Sequence, residues 1–128
     1  MPVALATSPT EEPVVESQVL IVDDEVTLRG SLARYLEGCG VAVAQAGSLA
    51  EARSLLSVRV FDALIVDVGL PDGDGLDLLD AAGPLRALVI SARPEPARYA
   101  RRGVLHHLPK PLDLQMVLER LTRICAAA

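Results

Sequence analysis

Runs of aliphatic residues alternate with stretches of helical periodicity along most of this chain. The aliphatic runs predict five strands, at residues 19–22, 41–44, 61–66, 85–90 and 104–108. Between them, apolar residues recur at intervals of three and four, which predicts helices at residues 26–38, 76–81 and 97–102. A Ser48–Glu51 capping box opens a further helix, and Asp113 caps the last one. This alternation predicts a parallel sheet with right-handed crossovers and helices on both faces.

Charged residues stand where three of these predicted strands end. Asp23 and Asp24 follow the first strand, Asp67 follows the third, and Lys110 follows the fifth. Because the carboxyl ends of parallel strands share one edge of the sheet, we expect these side chains to meet there. Two carboxylates about 4 Å apart repel by roughly 4 kcal/mol at an effective dielectric near 20, so the cluster requires a cation. The sequence therefore predicts a site for a divalent cation and an anionic group.

The residue types of this edge suit phosphoryl chemistry. Mg²⁺ prefers oxygen ligands and keeps waters that phosphate oxygens can replace. Lys110 supplies a mobile positive charge for a phosphoryl oxygen, and Ser91, at the end of the fourth strand, supplies a hydroxyl. A carboxylate such as Asp67 beside a metal and a lysine can also act as a nucleophile and form an acyl phosphate.

Composition narrows the class of protein. The chain has 128 residues, enough for one domain, and is 51% hydrophobic but only 2% aromatic, which favours an aliphatic core around a parallel sheet. The net charge of −5 argues against binding of nucleic acid by phosphate neutralisation. No apolar stretch is long enough to span a bilayer and no secretory signal is evident, so we expect a cytoplasmic location with Cys39 and Cys125 as reduced thiols.

The domain is expected to begin after a short leader. Residues 1–16 mix prolines with Ser, Thr and Glu and show no sustained periodicity, which indicates a flexible N-terminal segment. We predict one domain over residues 17–125 and a C-terminal tail at 126–128.

The segment from Asp67 to Gly75, DVGLPDGDG, together with Asp23-Asp24-Glu25, Ser91-Ala92 and Lys110-Pro111, carries a family resemblance. In this order, each at a strand end, these motifs make the chain resemble the receiver domain of bacterial two-component response regulators. The resemblance implies a flavodoxin-like doubly wound sheet of five parallel strands in the order 2-1-3-4-5.

The resemblance also implies roles for the acidic residues. Asp67 would accept a phosphoryl group from a sensor histidine kinase or a phosphotransfer protein. Asp24 and Asp67 would bind Mg²⁺ directly with the backbone carbonyl of Gly69, and Asp23 would act through water. The chain would not be an enzyme, although it would take part in its own phosphorylation and dephosphorylation.

Further roles follow from the same resemblance. Ser91 would be the switch hydroxyl, and Lys110 would pair with the phosphate and form a cis peptide bond with Pro111. The phosphorylated domain would change its surface at the last helix, last strand and fourth helix, and pair with a second receiver or an effector. An output domain is not visible in these residues.

The sequence departs from the family pattern in two respects, and it suggests a role for two further residues. Ser91 follows Asp67 by 24 positions and precedes Lys110 by 19, intervals that predict shortened third and fourth helices. His107 stands where the family has an aromatic switch residue, and it is either a pH-sensitive switch or a partly exposed histidine without that role. The resemblance also places Gly69 and Arg93 at the positions that tune the phosphoryl lifetime in the family; the alternative is that Arg93 is a solvated loop charge.

Other classes of protein remain to be weighed. A pseudo-receiver, which binds partners without phosphorylation, keeps the same acidic residues and stays open. An aspartyl-phosphate hydrolase needs a second Asp two positions after its nucleophile, where Gly69 stands. Asp72 and the acidic residues after it are turn residues rather than a calcium loop, because position twelve from Asp72 is Gly83. A metal pair at His106 and His107 is disfavoured, since neighbours on a strand face opposite sides.

Overall fold

Five parallel strands form the sheet of this protein in a computed structural model that describes residues 17–127. The strands are β1 (Gln18–Val22), β2 (Ala42–Ala46), β3 (Ala63–Asp67), β4 (Ala87–Ser91) and β5 (His106–Pro109). The helices are α1 (Val26–Gly38), α2 (Leu49–Val58), α3 (Leu79–Ala82), α4 (Pro96–Arg101) and α5 (Leu114–Ala127). The predicted leader at residues 1–16 and the end of the predicted tail lie outside the described residues.

The order of the strands is β2-β1-β3-β4-β5, and every neighbouring pair is parallel. The predicted α/β flavodoxin-like fold is therefore confirmed. The third and fourth helices are short, as predicted: α3 has four residues and follows a 3₁₀ turn at Gly75–Leu78, and α4 has six. Between β3 and this turn, Gly69–Leu70 and Gly73–Asp74 pair as a small antiparallel hairpin.

The core lies on both faces of the sheet, which explains the unbroken aliphatic runs. Along β1, Leu20 and Val22 pack on one face, with α2 and α3, while Val19 and Ile21 pack on the other, with α1 and α5. All residues of β3 and β4 are buried. A strand covered on both faces needs apolar side chains at every position, so the sequence shows runs rather than alternation.

Four of the five strands begin one or two residues later than the sequence pattern predicts, whereas β1 begins one residue earlier, at Gln18. The fourth strand was expected from residue 85, but Pro84–Arg86 form a 3₁₀ turn and β4 begins at Ala87. The strands β3 and β4 each extend through the polar residue at their end, Asp67 and Ser91. Phe61 and Val104 are buried although they precede β3 and β5, so they look like part of these strands in the sequence, whereas Leu85 before β4 is exposed.

Side chains cap the helices largely as expected. The Ser48 hydroxyl accepts a hydrogen bond of 3.2 Å from Glu51 N, but the Glu51 carboxylate accepts from Gly47 N at 2.6 Å, so the capping box is displaced by one residue. Asp113 Oδ1 accepts from the backbone N–H groups of Gln115 and Met116, which confirms it as the cap of α5.

Asp72 has a role that its sequence context does not reveal. Besides lying in the hairpin turn, its two carboxylate oxygens accept hydrogen bonds from Leu49 N at 2.8 Å and Ala50 N at 3.1 Å, at the start of α2. The bond from Leu49 N is the main cause that lowers the pKa of Asp72 below 3.8, and burial opposes it. Asp72 therefore fastens the loop after Asp67 to α2.

Candidate functional site

The carboxyl ends of β1, β3 and β5 bring Asp23, Asp67 and Lys110 together. Val22 stands opposite Val66 in the register of β1 and β3, so the aspartates that follow these residues become neighbours. The backbone N–H of Lys110 donates to the carbonyl of Ser91 at 2.9 Å, which fixes the residue after β5 beside the end of β4. The Lys110-Pro111 bond is cis, as predicted.

Lys110 is the only lysine in the chain, and its ammonium group contacts three carboxylates. Its Nζ lies 2.5 Å from Glu25 Oε1, 2.9 Å from Asp23 Oδ2 and 3.0 Å from Asp67 Oδ2. Burial alone would lower the pKa of Lys110, but the interactions with Glu25, Asp23 and Asp67 outweigh it and raise the pKa above its ordinary 10.5. Lys110 therefore stays protonated and compensates part of the negative charge.

Asp23 is the most deeply buried acid of the site, with 1% of its surface exposed. Burial raises its pKa above 3.8, and the backbone N–H of Glu25 and the ammonium of Lys110 oppose this shift. The N–H of Glu25 donates to Asp23 Oδ1 at 2.8 Å. Asp23 Oδ2 lies close to Lys110 Nζ, but the angles are not those of a hydrogen bond, so this buried oxygen has no hydrogen-bond donor among the described residues.

Asp67 is the last residue of β3 and is 7% exposed. Its Oδ1 accepts a hydrogen bond of 3.1 Å from Gly69 N, and its Oδ2 accepts from Lys110 Nζ. Gly75 packs against the backbone of Asp67 so closely that a Cβ at this position would lie 2.0 Å from the Asp67 carbonyl oxygen. The close approach of the chain to the backbone of Asp67 therefore requires glycine at position 75.

The carboxylates that gather differ in part from the predicted set. Oxygens of Asp23, Glu25 and Asp67 lie within 4.8 Å of one another, whereas Asp24 is exposed and does not belong to this group. Glu25 was not among the predicted site residues, although it directly follows the aspartate pair. Three clustered carboxylates and one buried oxygen without a donor fit a hard divalent cation such as Mg²⁺.

Ser91 and Arg93 lie at the end of β4. Ser91 is 7% exposed, and its hydroxyl oxygen accepts a hydrogen bond of 3.0 Å from the backbone N–H of Arg93. Arg93 itself is exposed, and Gly69, across the site, is exposed as well. The proposed roles of Gly69 and Arg93 in phosphoryl lifetime stay predictions.

His107 makes a contact that sequence reasoning missed. Its ring packs edge-on against Tyr99 of α4, with centroids 5.3 Å apart and planes at 62°. Tyr99 is fully buried, so this contact joins β5 to α4 through the core. His107 is half-buried, and its role as a switch remains a prediction. Neither His106 nor His107 belongs to the one candidate metal cluster among the described residues.

The loop after Asp67 is also tied to α4. Asp74 forms an ion pair with Arg98, and its Oδ1 accepts a hydrogen bond of 2.9 Å from Leu76 N. Arg102 donates to the carbonyl of Leu76 at 3.0 Å. Although α4 is short, Arg98 within it and Arg102 directly after it therefore both contact the segment that follows the site.

Comparison with known proteins identifies the family. Residues 19–122 match the model of the response regulator receiver domain. The chain is 34% identical over 111 residues to the KDP operon transcriptional regulatory protein KdpE of Escherichia coli, and this match covers 82% of this chain and 49% of that protein. It is also 32% identical over 113 residues to the transcriptional regulatory protein PhoP of the same organism, and this match covers 81% of this chain and 50% of that protein. The chain belongs to the receiver domain family of two-component response regulators.

Solved structures agree with this assignment. A response regulator from Chloroflexus aurantiacus is 32% identical, with a TM-score of 0.75, and the match covers 86% of this chain and 98% of that one. A second structure is a response regulator from Burkholderia pseudomallei with a phosphorylated aspartic acid, a calcium ion and citrate. It is 29% identical, with a TM-score of 0.76, and the match covers 88% of this chain and 70% of that one.

The chain spans about half the length of most of the curated relatives it matches, such as KdpE and PhoP. In the described part of the chain, no helix has the length and hydrophobicity needed to cross a membrane.

Proposed function

We propose that this receiver domain is a working phosphoacceptor in a bacterial two-component pathway or phosphorelay. Asp67 accepts a phosphoryl group from the phosphohistidine of a sensor histidine kinase or phosphotransfer protein in the cytoplasm, and Mg²⁺ is required. The observation that carries the proposal is the position of Asp67 at the end of β3, hydrogen-bonded to Lys110 and beside Asp23. A carboxylate in this place has both a charge partner for the incoming phosphate and a candidate cation site.

The transfer is a displacement at phosphorus. A carboxylate oxygen of Asp67 forms the new P–O bond while the P–N bond of phosphohistidine breaks, and the imidazole leaves and takes up a proton. Lys110, now shared among three carboxylates, contacts a phosphoryl oxygen of the product, an acyl phosphate. Positioning and charge stabilisation, rather than covalent help from other groups, account for most of the rate in reactions of this type.

Mg²⁺ supplies the charge that one lysine cannot. The formal charges of Asp23, Glu25, Asp67 and Lys110 sum to −2 before the phosphoryl group arrives, so the site needs further positive charge to bind it. The proposed ligands are Asp23, Asp24, Asp67 and the carbonyl of Gly69, supported by the buried Oδ2 of Asp23, which has an ion pair with Lys110 but no hydrogen-bond donor among the described residues. The Burkholderia pseudomallei relative, whose structure holds a phosphorylated aspartic acid and a calcium ion, supports the same combination.

Phosphorylation then shifts the conformation after β4. The Ser91 hydroxyl, which accepts from Arg93 N in the present state, turns to donate to a phosphoryl oxygen. That movement displaces the loop leading to α4, and the Tyr99–His107 contact conveys it to β5. The altered surface binds an output domain or a second receiver. The domain acts on its own aspartate and on no separate substrate, so we do not class it as an enzyme.

Intact mass spectrometry tests the proposal. The chain is incubated with acetyl phosphate and Mg²⁺, and the same reaction is run with EDTA, with Asp67→Asn and with Asp80→Asn, an exposed aspartate on α3. The expected result is one phosphoryl adduct in the wild type and in Asp80→Asn, and none with EDTA or Asp67→Asn. If acetyl phosphate and a cognate kinase both fail to give an adduct, the chain is a pseudo-receiver that acts without phosphate.

A further inference from the structure

The helix α4 has little structure of its own to hold it in place. It has six residues, fewer than the roughly 12–15 that an isolated helix needs to be even marginally stable in water, and no side chain caps its N-terminus. Tyr99 is the one buried residue of this helix, and residues 92–97, which lead into it and form its first two positions, are all exposed. The position of α4 therefore depends on contacts with other parts of the domain.

Two arginines connect α4 to the segment that follows the phosphoacceptor candidate. Arg98, within the helix, forms an ion pair with Asp74 Oδ2, and Arg102, directly after it, donates to the carbonyl of Leu76 at 3.0 Å. The side chains of Arg98 and Asp74 are 31% and 33% exposed, so solvent screens their attraction only in part. The helix is therefore anchored both to residues 74–76 and, through Tyr99, to the core.

Asp74 is in turn only one strand pairing away from Asp67. It stands opposite Gly69 in the small hairpin, and Gly69 N donates to Asp67 Oδ1 at 3.1 Å. The next residue, Gly75, donates its N–H to the carbonyl of Val68 at 2.8 Å and packs against the backbone of Asp67. A change at the Asp67 carboxylate therefore reaches Asp74 through the hairpin, by a route separate from β4.

The two carboxylate oxygens of Asp74 have different partners. Oδ1 accepts a hydrogen bond of 2.9 Å from Leu76 N, which caps the 3₁₀ turn at Gly75–Leu78, and Oδ2 forms the ion pair with Arg98. The first contact stabilises the local turn, whereas the second extends to α4. The ion pair can therefore break while the turn stays folded, since Oδ1 keeps its donor.

We propose that the Asp74–Arg98 ion pair is a latch that holds α4 in its unphosphorylated position and thereby opposes phosphorylation of Asp67. This inference rests on the proposed phosphoacceptor function. Phosphorylation of Asp67 moves the hairpin and releases Arg98, so α4 leaves its position. Because coupling between two sites is reciprocal, releasing the latch by mutation favours phosphorylation in turn.

Hydrogen exchange of the unphosphorylated protein tests the latch itself. Amides of α4 exchange when the helix opens locally, and the N–H of Tyr99, bonded to the carbonyl of Glu95 at 3.1 Å, is one of them. A partly exposed ion pair changes an equilibrium by a factor of about 1.4 to 5. Arg98→Met and Asp74→Asn should therefore each accelerate the exchange of the α4 amides by a factor in this range.

Two comparisons separate the latch from other effects of these changes. Arg101→Met is the same substitution at an exposed arginine, also in the last turn of α4, that forms no ion pair with a described residue. Only acceleration beyond this control is due to the latch. Arg98→Met also loses a pair of 3.6 Å with Glu95, whereas Asp74→Asn does not. If the two side chains act through each other, Asp74→Asn/Arg98→Met should exchange no faster than the faster single variant.

The rate of phosphorylation tests whether the latch acts on Asp67. Adduct formation with acetyl phosphate and Mg²⁺, followed by intact mass, should be faster in both Arg98→Met and Asp74→Asn than in Arg101→Met. The factor should equal that of the exchange, because both rates then follow the fraction of molecules in which α4 is released. Attraction of the anionic acetyl phosphate would instead accelerate Asp74→Asn and slow Arg98→Met, so a change in the same direction identifies the latch.

Each failure has its own signature. The latch is overturned if the α4 amides exchange no faster in Arg98→Met and Asp74→Asn than in Arg101→Met. It is also overturned if exchange is faster but phosphorylation is not, since the ion pair is then a purely structural contact. Absence of an adduct in the wild type and in every variant would refute the proposed function, and with it the effect of the latch on Asp67.

Discussion

Replacing Lys110 with methionine removes the only ammonium group that faces the acidic cluster. Methionine keeps most of the length and apolar volume of the lysine stem, so the change is chiefly one of charge. The carboxylates of Asp23, Glu25 and Asp67 would then have no ion pair with a cation among the described residues. We expect Lys110→Met to destabilise the metal-free protein strongly at pH 7.

The magnitude follows from the distances and the burial. Each of the three contacts is 3.0 Å or shorter, and a charge pair at about 3 Å attracts by roughly 5–6 kcal/mol in gross terms at an effective dielectric near 20. The side chains of Lys110, Asp23 and Asp67 are 13%, 1% and 10% exposed, so the rule for buried pairs applies. Removing one partner of such a pair lowers the free energy of unfolding by about 3–5 kcal/mol, whereas losing the contact with the exposed Glu25 lowers it by only about 0–1 kcal/mol more.

Urea unfolding followed by circular dichroism measures this loss. The matched control is Arg123→Met, which breaks an exposed pair with Glu119 and should cost no more than about 0.5 kcal/mol. Millimolar Mg²⁺ should restore part of the stability of Lys110→Met, because the cation replaces the lost charge. A loss no larger than that of Arg123→Met, or one that Mg²⁺ leaves unchanged, would refute the electrostatic reasoning.

Three further predictions concern the same site. The pKa of Lys110 in the folded protein is raised above 10.5, so the charged ammonium stabilises the fold fully below pH 10.5 and loses this effect as the pH rises further. Above pH 10.5, the free energy of unfolding should therefore fall more steeply in the wild type than in Lys110→Met. Gly75→Ala should cost about 3 kcal/mol and reduce phosphorylation, since its Cβ would meet the Asp67 carbonyl, whereas Gly38→Ala, with open space, should be neutral or stabilising in the same melts. Arg93→Ala should change the phosphoryl half-life several-fold; an unchanged rate of dephosphorylation would discard that role.

The strand ends were the most informative part of the sequence. Because parallel strands buried on both faces need continuous aliphatic runs, the polar residues that end these runs stand out. Asp23, Asp67 and Lys110 were located in this way, and the structure brings all three together. Ser91 was found by the same signal, at the end of β4.

Contacts between residues far apart in the chain could not be predicted from the sequence pattern. The residues around Asp72 do not indicate that it caps α2, because the capped N–H groups belong to Leu49 and Ala50, 23 and 22 positions earlier. These contacts depend on how the hairpin folds over the helix. The Tyr99–His107 contact likewise depends on the packing of α4 on the sheet. Glu25 resembles an ordinary residue before a helix, and only the position of Lys110 shows that it joins the cluster.

We expect Asp67, rather than a neighbouring carboxylate, to carry the phosphoryl group. Borohydride reduction of the phosphorylated chain converts an aspartyl phosphate to homoserine, and peptide mass spectrometry then locates the modified residue. We expect homoserine at position 67 only, formed only in the presence of Mg²⁺. Homoserine at position 23 or 24, or modification that persists in EDTA, would contradict this assignment.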